Sequence, residues 1–283
     1  MNKYFVTFKS RILVYLACLL YILNNLFSTD AHKTNKGKTR ILVFHHVDSA
    51  IAFDKIIKTL KIKYNLISFT QYLEGKKSAT HVNVIIALDD GYRSWFENGL
   101  PVFKKYNVNP LLFVNSDFIG LEEKAARAYC INRIKTWPEP SLSWQELKLL
   151  EAHGAEIGGH TIAHRDLVRD ESDLSNLECI VADRAALMIK LEKEIRCFAY
   201  PFGRHAPTII QHVKNAGYQY GFSSDSGFTE DSISPFLIKR TNIGMRPPLI
   251  ICAIIEGWGD KVSTYFRYVK RKIIHNASAK TLP

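Results

Sequence analysis

Residues 82–91 of this chain are Val-Asn-Val-Ile-Ile-Ala-Leu-Asp-Asp-Gly, a short apolar run that ends in two carboxylates and a glycine. The run is rich in β-branched residues, which is typical of a parallel strand buried on both faces. Adjacent carboxylates at the end of a buried strand repel each other and lose hydration. We therefore expect a cation or a basic side chain beside Asp89 and Asp90. Taken alone, the stretch also fits an Asp-Gly turn capped by its first Asp.

A second polar cluster follows another short strand candidate. Residues 158–164 are Gly-Gly-His-Thr-Ile-Ala-His and come directly after Glu156 and Ile157. The four-residue spacing places His160 and His164 on one side of a helix or tight turn, where both imidazoles can bind one metal ion. Together with the Asp-Asp pair, they predict an Asp/His/His site with open positions for water.

A third strand candidate ends in residues that are typical of a turn. Residues 198–203 are Phe-Ala-Tyr-Pro-Phe-Gly, an apolar start followed by a Pro/Gly turn. Predicted strands and helices alternate along the chain, and three strand ends carry polar or turn residues. This pattern favours an α/β fold built as a parallel barrel, whose sites lie at the carboxyl ends of the strands.

These three stretches resemble, in order and spacing, the motifs of the polysaccharide deacetylases, also called the NodB-homology or carbohydrate esterase 4 family. The family motif Thr-Phe-Asp-Asp-Gly is similar to residues 87–91, His-Ser/Thr-x-x-His to residues 160–164, and the final Pro-Tyr-Gly to residues 201–203. The resemblance covers residues 40–245. It implies a distorted (β/α) barrel of about seven strands, and we expect a hydrophobic helix before it. The third motif is similar to that of exopolysaccharide and poly-N-acetylglucosamine deacetylases.

The resemblance also implies roles for individual residues. Asp90, His160 and His164 would hold a divalent metal ion, with zinc expected and cobalt or nickel as alternatives. Asp89 would be the catalytic base, and the backbone N–H of Phe202 would donate to the oxyanion. Such an ion lowers the pKa of a bound water and polarises an amide carbonyl. The implied reaction removes N-acetyl groups from an acetylated cell-envelope polysaccharide or exopolysaccharide.

Two family features are missing from this chain. Many members carry an Arg two residues before the Pro of the third motif, where this chain has Ala199. Arg240 and Arg196 are candidate substitutes. Many members also contain a Leu-x-His motif whose His is the general acid, and we find no such motif. The candidates for this role are then three histidines: His45, His46 and His205.

Several residues are candidates for contacting the substrate. Tyr200 and Pro201 belong to the third motif, and the first predicted strand ends at His45. Residues 116–143 show little periodicity and form a candidate lid or insertion beside the site. Two aromatic residues in this segment offer stacking faces for sugar rings, although aromatic side chains are more often packed: Tyr129 and Trp137.

Composition and charge divide the chain into four parts. A basic flank and an apolar run at residues 12–23 predict a signal peptide or membrane anchor over residues 1–29, with a buried helix as the alternative. Three parts follow: a basic linker at 30–39, the deacetylase-like domain at 40–245 and a basic extension at 246–283. Residues 261–272 fit a basic helix, which either lies on a membrane surface or packs on the barrel.

The formal net charge of +11 favours an anionic partner such as phospholipid headgroups or an acidic polysaccharide. Because no nucleic-acid-binding motif is present, we do not expect a nucleic-acid partner. We expect membrane contact through the N-terminal segment, with the catalytic domain at the extracytoplasmic face of a bacterial inner membrane, in the periplasm or at the cell surface. The five cysteines are scattered, which is typical of buried thiols rather than of a disulfide framework. The sequence leaves the oligomeric state open.

Two other functions fit part of the pattern. The missing Arg and His motifs would suit a carbohydrate-binding pseudoenzyme on the same fold, but the intact Asp-Asp and His-x-x-x-His motifs argue against it. Two His and one carboxylate also suit a non-haem iron enzyme. Those enzymes usually have a double-stranded β-helix, which the alternation of strands and helices disfavours.

Overall fold

A computed structural model of the chain describes residues 15–16, 18–23, 35–169 and 173–260. Gly37–Met245 form one compact unit, and the other described residues belong to a second. Residues 15–16 and 18–23 of the predicted apolar segment are helical. Every helix in these described ranges is too short or too polar to span a lipid bilayer. The rest of that segment and the basic helix predicted at 261–272 lie outside the described residues.

The larger unit is built on a sheet of eight parallel strands. The strands are β1 (Thr39–Phe44), β2 (Asn65–Leu66), β3 (Asn83–Asp90), β4 (Leu111–Val114), β5 (Glu156–Gly159), β6 (Cys197–Ala199), β7 (Tyr220–Phe222) and β8 (Thr241–Asn242). Their order in the sheet is β7-β6-β5-β4-β3-β1-β8, and β2 pairs with the start of β3. All eight residues of β3 are buried, as its apolar sequence predicts.

One segment joins the two edges of this sheet. Ile238 forms a parallel bridge with Phe222 of β7, and the following β8 pairs with Leu42 and Val43 of β1. The sheet therefore curls into a distorted barrel, and the predicted α/β barrel is confirmed. This segment consists of only the bridge and the two-residue β8, and a turn at residues 235–236 precedes it.

Helices connect the strands and cover the sheet. They are α1 (Ala50–Lys63), α2 (Phe69–Leu73), α3 (Leu100–Tyr106), α4 (Glu123–Tyr129), α5 (Trp144–Ala152), α6 (Asp173–Leu191) and α7 (Pro207–Asn215), while α8 (Pro248–Ile255) belongs to the smaller unit. Ser143 and Glu146 form a capping box at the start of α5. A π-helical turn, Trp95–Gly99, leads into α3, where Pro101 lies in the first turn and cannot donate a backbone hydrogen bond.

Strand β5 packs closely because its last two residues are glycines. A Cβ atom added at Gly158 would lie 2.7 Å from the Phe113 ring, and one at Gly159 would lie 2.1 Å from the Tyr218 hydroxyl. Neither space admits a side chain. The two glycines therefore let β5 lie against its neighbours and set the position of His160, which follows the strand directly.

Candidate active site

Asp89 is the next-to-last residue of β3, and its carboxylate pairs with Arg240. Arg240 Nη1 lies 2.7 Å from Asp89 Oδ1, and Nη2 lies 3.0 Å from Oδ2, so the pair is bidentate. Asp89 is 5% exposed and Arg240 is fully buried. Burial by itself raises the pKa of the Asp89 carboxyl, but the charges of Arg240, His160 and His45 and the hydrogen bonds from Arg240 outweigh it and hold that pKa below its ordinary value. Asp89 is therefore an ionised carboxylate at neutral pH.

Asp90 turns its carboxylate towards the two predicted histidines. Its Oδ1 atom lies 3.6 Å from His160 Nε2 and 3.4 Å from His164 Nε2. Its Oδ2 atom accepts a hydrogen bond of 2.9 Å from the Tyr92 hydroxyl. Asp90 has a φ of 94°, a conformation that is costly for a residue with a side chain. Strain of this kind is common where a strand end presents a functional group.

His160 is held by its backbone and its ring. The ring Nδ1 lies 2.7 Å from the carbonyl oxygen of Ala199 at the end of β6, so Nδ1 carries the proton and donates it. Burial, outweighing the Asp89 charge, lowers the pKa of His160 to about 4. The neutral ring therefore directs the Nε2 lone pair at Asp90. Ala199, which stands where many family members have Arg, contributes its carbonyl rather than a side chain.

His164 reaches the same point through a tight turn. Thr161 and His164 both have positive φ, and the Thr161 hydroxyl accepts a hydrogen bond of 2.9 Å from the backbone N–H of Arg165. The His164 ring packs edge-on against Phe202, with 4.6 Å between the ring centroids. Phe202 itself has a φ of 57° in the turn after β6. The second and third motifs thus meet at the His164–Phe202 contact.

These three side chains fit a divalent metal ion. The ligand atoms of Asp90, His160 and His164 lie within 4.8 Å of one another, and all three residues are buried. Asp90 Oδ1 is buried and has no hydrogen-bond partner among the described residues. Its distances to the two Nε2 atoms are too long for good hydrogen bonds, and a buried carboxylate oxygen that faces two imidazole nitrogens calls for a cation between them. Two imidazole nitrogens and one carboxylate oxygen form a donor set that suits zinc and similar ions.

Asp183 on α6 fixes the backbone that carries this group. Its Oδ2 atom accepts a hydrogen bond of 3.0 Å from the backbone N–H of His160, and its Oδ1 atom accepts one of 3.0 Å from Ser116. Asp183 is fully buried, and this burial raises the pKa of its carboxyl to about 7 despite the two bonds. One carboxyl group therefore ties together the chain segments that leave β4 and β5.

We expect the Asp183→Asn substitution to lower the free energy of unfolding by about 1–3 kcal/mol. Asparagine has one acceptor oxygen, so one of the two buried N–H groups would face an amide NH2 instead of an acceptor. Urea unfolding measures the loss, and Glu178→Gln is the matched control because Glu178 is exposed on the same helix. An unchanged unfolding midpoint in Asp183→Asn would show that the second N–H has another partner.

A cavity of about 480 Å³ opens over the Asp/His/His group. His45, His46, Tyr200 and Phe202 line it together with Asp89 and the metal-site residues. The backbone carbonyl of His45 accepts a hydrogen bond of 2.6 Å from the Trp95 indole, which fixes the end of β1. The cavity therefore joins the polar ends of β1, β3, β5 and β6.

Other predicted residues lie in different surroundings. Pro201 is buried in its turn, and the cavity wall there is made by its neighbours Tyr200, Phe202 and Gly203. His205 lies 3.5 Å from Asp225, measured from Nε2 to Oδ2. Arg196 precedes β6 and so lies at the opposite end of that strand from the site. Tyr129 stacks on Phe118, with 5.0 Å between the ring centroids, so this aromatic ring is packed.

The sequence did not identify three residues that shape the site. The Tyr92 hydroxyl donates a hydrogen bond to Asp90, and Asp183 accepts one from the backbone N–H of His160. Asn115 donates a hydrogen bond of 2.7 Å to the carbonyl of His160. Tyr92 directly follows the first motif, and this position in the sequence could have indicated that it lies near the site. Asp183 lies inside a helix, and Asn115 follows an apolar strand, so neither had a local pattern that pointed to the site.

The comparisons with known proteins agree with this geometry. A sequence model described as polysaccharide deacetylase matches residues 76–221 of the chain. The Bacillus subtilis (strain 168) protein YxkH, whose name classes it with the polysaccharide deacetylases, is 23% identical over 75% of this chain and 74% of its own length. The poly-β-1,6-N-acetyl-D-glucosamine N-deacetylase of Staphylococcus aureus (strain N315) is 23% identical over 66% of this chain, and the match spans 64% of that enzyme.

Solved structures share the fold. The deacetylase PplD of Streptococcus pyogenes, solved with acetate, superposes with a TM-score of 0.64 at 19% identity, covering 77% of this chain and 98% of that one. IcaB from Ammonifex degensii gives a TM-score of 0.64 at 19% identity, covering 80% and 98%. The matched motifs, the barrel and the family model lead to one conclusion: this chain belongs to the polysaccharide deacetylase family of amide hydrolases.

Proposed function

We propose that this protein is a zinc-dependent deacetylase of an exopolysaccharide or cell-envelope glycan, with poly-β-1,6-N-acetyl-D-glucosamine as the first substrate to test. The observation that carries the proposal is the buried Asp90/His160/His164 group beside an ionised Asp89 in one cavity. The name of the staphylococcal relative supports this choice of glycan. Carbohydrate esterase 4 deacetylases are metal-dependent, which agrees with the donor set.

Each residue of the group has a distinct proposed task. Asp90 Oδ1 and the Nε2 atoms of His160 and His164 would hold the ion. A zinc ion bound there would polarise the substrate's amide carbonyl and lower the pKa of a water. Asp89, kept ionised by Arg240, would take the proton of the attacking water. The backbone N–H of Phe202 is the proposed oxyanion donor, in the turn that packs against His164.

His45 is the proposed general acid among the three histidine candidates. It lines the same cavity as Asp89. The ring nitrogens of His46 face Glu139 and Thr136, and His205 faces Asp225. His45 would give a proton to the leaving amine. Tyr200 is fully buried and its hydroxyl donates a hydrogen bond of 3.0 Å to the carbonyl of Phe236, so it would shape the cavity wall rather than contact the sugar. Pro201 would act indirectly by shaping the turn.

The test is acetate release by the full chain from a β-1,6-linked N-acetylglucosamine pentamer. We expect activity with added zinc, cobalt or nickel, loss of activity with a chelator, and recovery when zinc is restored. His160→Ala should lose both the bound zinc and the activity, because it removes one of three ligands. His81→Ala is the matched control, since His81 is exposed and precedes β3.

Three outcomes would contradict the proposal. Stoichiometric zinc binding without acetate release from any acetylated glycan would favour the carbohydrate-binding pseudoenzyme. Turnover that requires ferrous iron and oxygen would favour the non-haem iron enzyme. Acetate release that resists the chelator and survives in His160→Ala would place the chemistry outside the Asp/His/His group.

A further inference from the structure

Trp137 is an exposed aromatic side chain close to the cavity. It lies between the π-helical turn Cys130–Ile134 and α5, and 85% of its surface is accessible to solvent. Ile131 on the same segment is 54% exposed. Contiguous exposed apolar side chains beside a functional cavity are typical of ligand-binding surfaces. We call the surface formed by Ile131, Trp137 and Pro138 the Trp137 platform.

The platform is continuous with the catalytic cavity through one residue. Thr136 lines the cavity and also lines a shallow depression formed by the platform and Lys135. A polymer that occupies the cavity with one sugar must continue across the protein surface on at least one side. A glycan chain that leaves the cavity over Thr136 would reach the indole of Trp137 next.

The segment that carries Trp137 is tied to the cavity wall on both sides. His46 Nδ1 lies 2.7 Å from Glu139 Oε1, and His46 Nε2 lies 3.4 Å from Thr136 Oγ1. The His46 ring also packs on Tyr92, with 4.1 Å between the ring centroids. The residues flanking Trp137 are therefore positioned by an imidazole that itself lines the cavity. A platform held this way keeps a fixed distance from the reacting sugar.

We propose that the Trp137 platform binds the pyranose ring adjacent to the sugar being deacetylated, with the C–H face of that sugar stacked on the indole. Large aromatic faces bind apolar surface of matching shape at low entropic cost. The proposal rests on the proposed function, because it takes the substrate to be a polymer of N-acetylated hexosamines. It extends that function by assigning a second sugar site outside the Asp/His/His cavity.

The test compares ligands of different length in the full-length Trp137→Ala variant. Calorimetry in the zinc-loaded Asp89→Asn background measures binding of the β-1,6-linked N-acetylglucosamine pentamer and of the monosaccharide without turnover. We expect Trp137→Ala to bind the pentamer about five- to tenfold more weakly and the monosaccharide equally well. Trp137→Phe should restore most of the pentamer affinity. Ile62→Ala is the control, because Ile62 is 73% exposed at the far end of α1.

Steady-state kinetics on the otherwise wild-type chain gives a second readout. We expect Trp137→Ala to raise KM for the pentamer by the same factor and to leave kcat unchanged. Equal pentamer affinity and KM in Trp137→Ala and wild type would overturn the platform. Equal loss of pentamer and monosaccharide would also overturn it, because Trp137 would then only support the cavity.

The remaining outcomes separate the platform from the proposed function. Pentamer binding that depends on Trp137, without acetate release from the wild type, would support the platform and defeat the proposed hydrolysis. Failure of the wild type to bind the pentamer would overturn the platform as a site for this glycan. Sedimentation that shows a dimer in the wild type and a monomer in Trp137→Ala would assign the surface to a second copy of the chain and also overturn the sugar site.

Discussion

The Asp89→Asn substitution is expected to lower kcat for acetate release about 10²- to 10⁴-fold. The carboxylate is the proposed proton acceptor, and an amide of the same shape cannot accept the proton of an attacking water. Asparagine can still accept one hydrogen bond from Arg240, so the side chain should stay in place. Zinc binding should persist, because the proposed ligand of the pair is Asp90 rather than Asp89.

Two measurements check this expectation together. Acetate release is followed by an enzyme-coupled assay, and zinc content is measured on the same preparation by atomic absorption. Asp48→Asn is the matched control because Asp48 also lines the cavity but is exposed. Retention of more than about a tenth of the wild-type rate in Asp89→Asn would remove Asp89 from the role of base. Loss of zinc together with the rate would instead make Asp89 part of the metal site.

The features that the sequence predicted well are those encoded locally. The strand that ends in Asp89 and Asp90 is a continuous apolar run, and His160 and His164 are separated by a short turn. Parallel strands bring their carboxyl ends to one edge, so the sequence alone places the three separate motifs near one another. The repulsion and lost hydration of the adjacent carboxylates predicted a cation or a basic side chain beside the pair.

The features that the sequence left open depend on contacts between distant residues. Both Arg240 and Arg196 were candidates for the basic partner, and only the closure of the barrel through residues 238–242 brings Arg240 to Asp89. The backbone carbonyl of Ala199 orients His160, and a carbonyl acceptor has no sequence signature. Asp183 was also missed, because a carboxyl inside a helix usually faces water and here it bonds two strand ends.

The Arg240→Met substitution is expected to destabilise the folded chain by about 3–5 kcal/mol. Methionine fills a similar volume but leaves the Asp89 carboxylate buried without its cation. It also removes the hydrogen bond of 3.1 Å from Arg240 Nε to the carbonyl of Ser223. Urea unfolding at pH 7 measures the loss. A double-mutant cycle with Asp89→Asn isolates the pair, and we expect the double variant to be more stable than the sum of the two single effects predicts.

The pH dependence of the same variant shows whether Arg240 lowers or raises the pKa of Asp89. In the wild type, the lowered pKa of Asp89 contributes stability above the unfolded-state value near 4 and loses it as the pH falls through the folded-state value. Without Arg240, burial raises that pKa, so the stability deficit of Arg240→Met should shrink as the pH is lowered from 7 towards 4. The acid limb of its kcat/KM profile should move to higher pH, because Asp89 must be ionised to act as a base. The acid limb could instead stay unshifted while the unfolding free energies of the two single variants add up. Arg240 would then support the barrel closure without changing the pKa of Asp89.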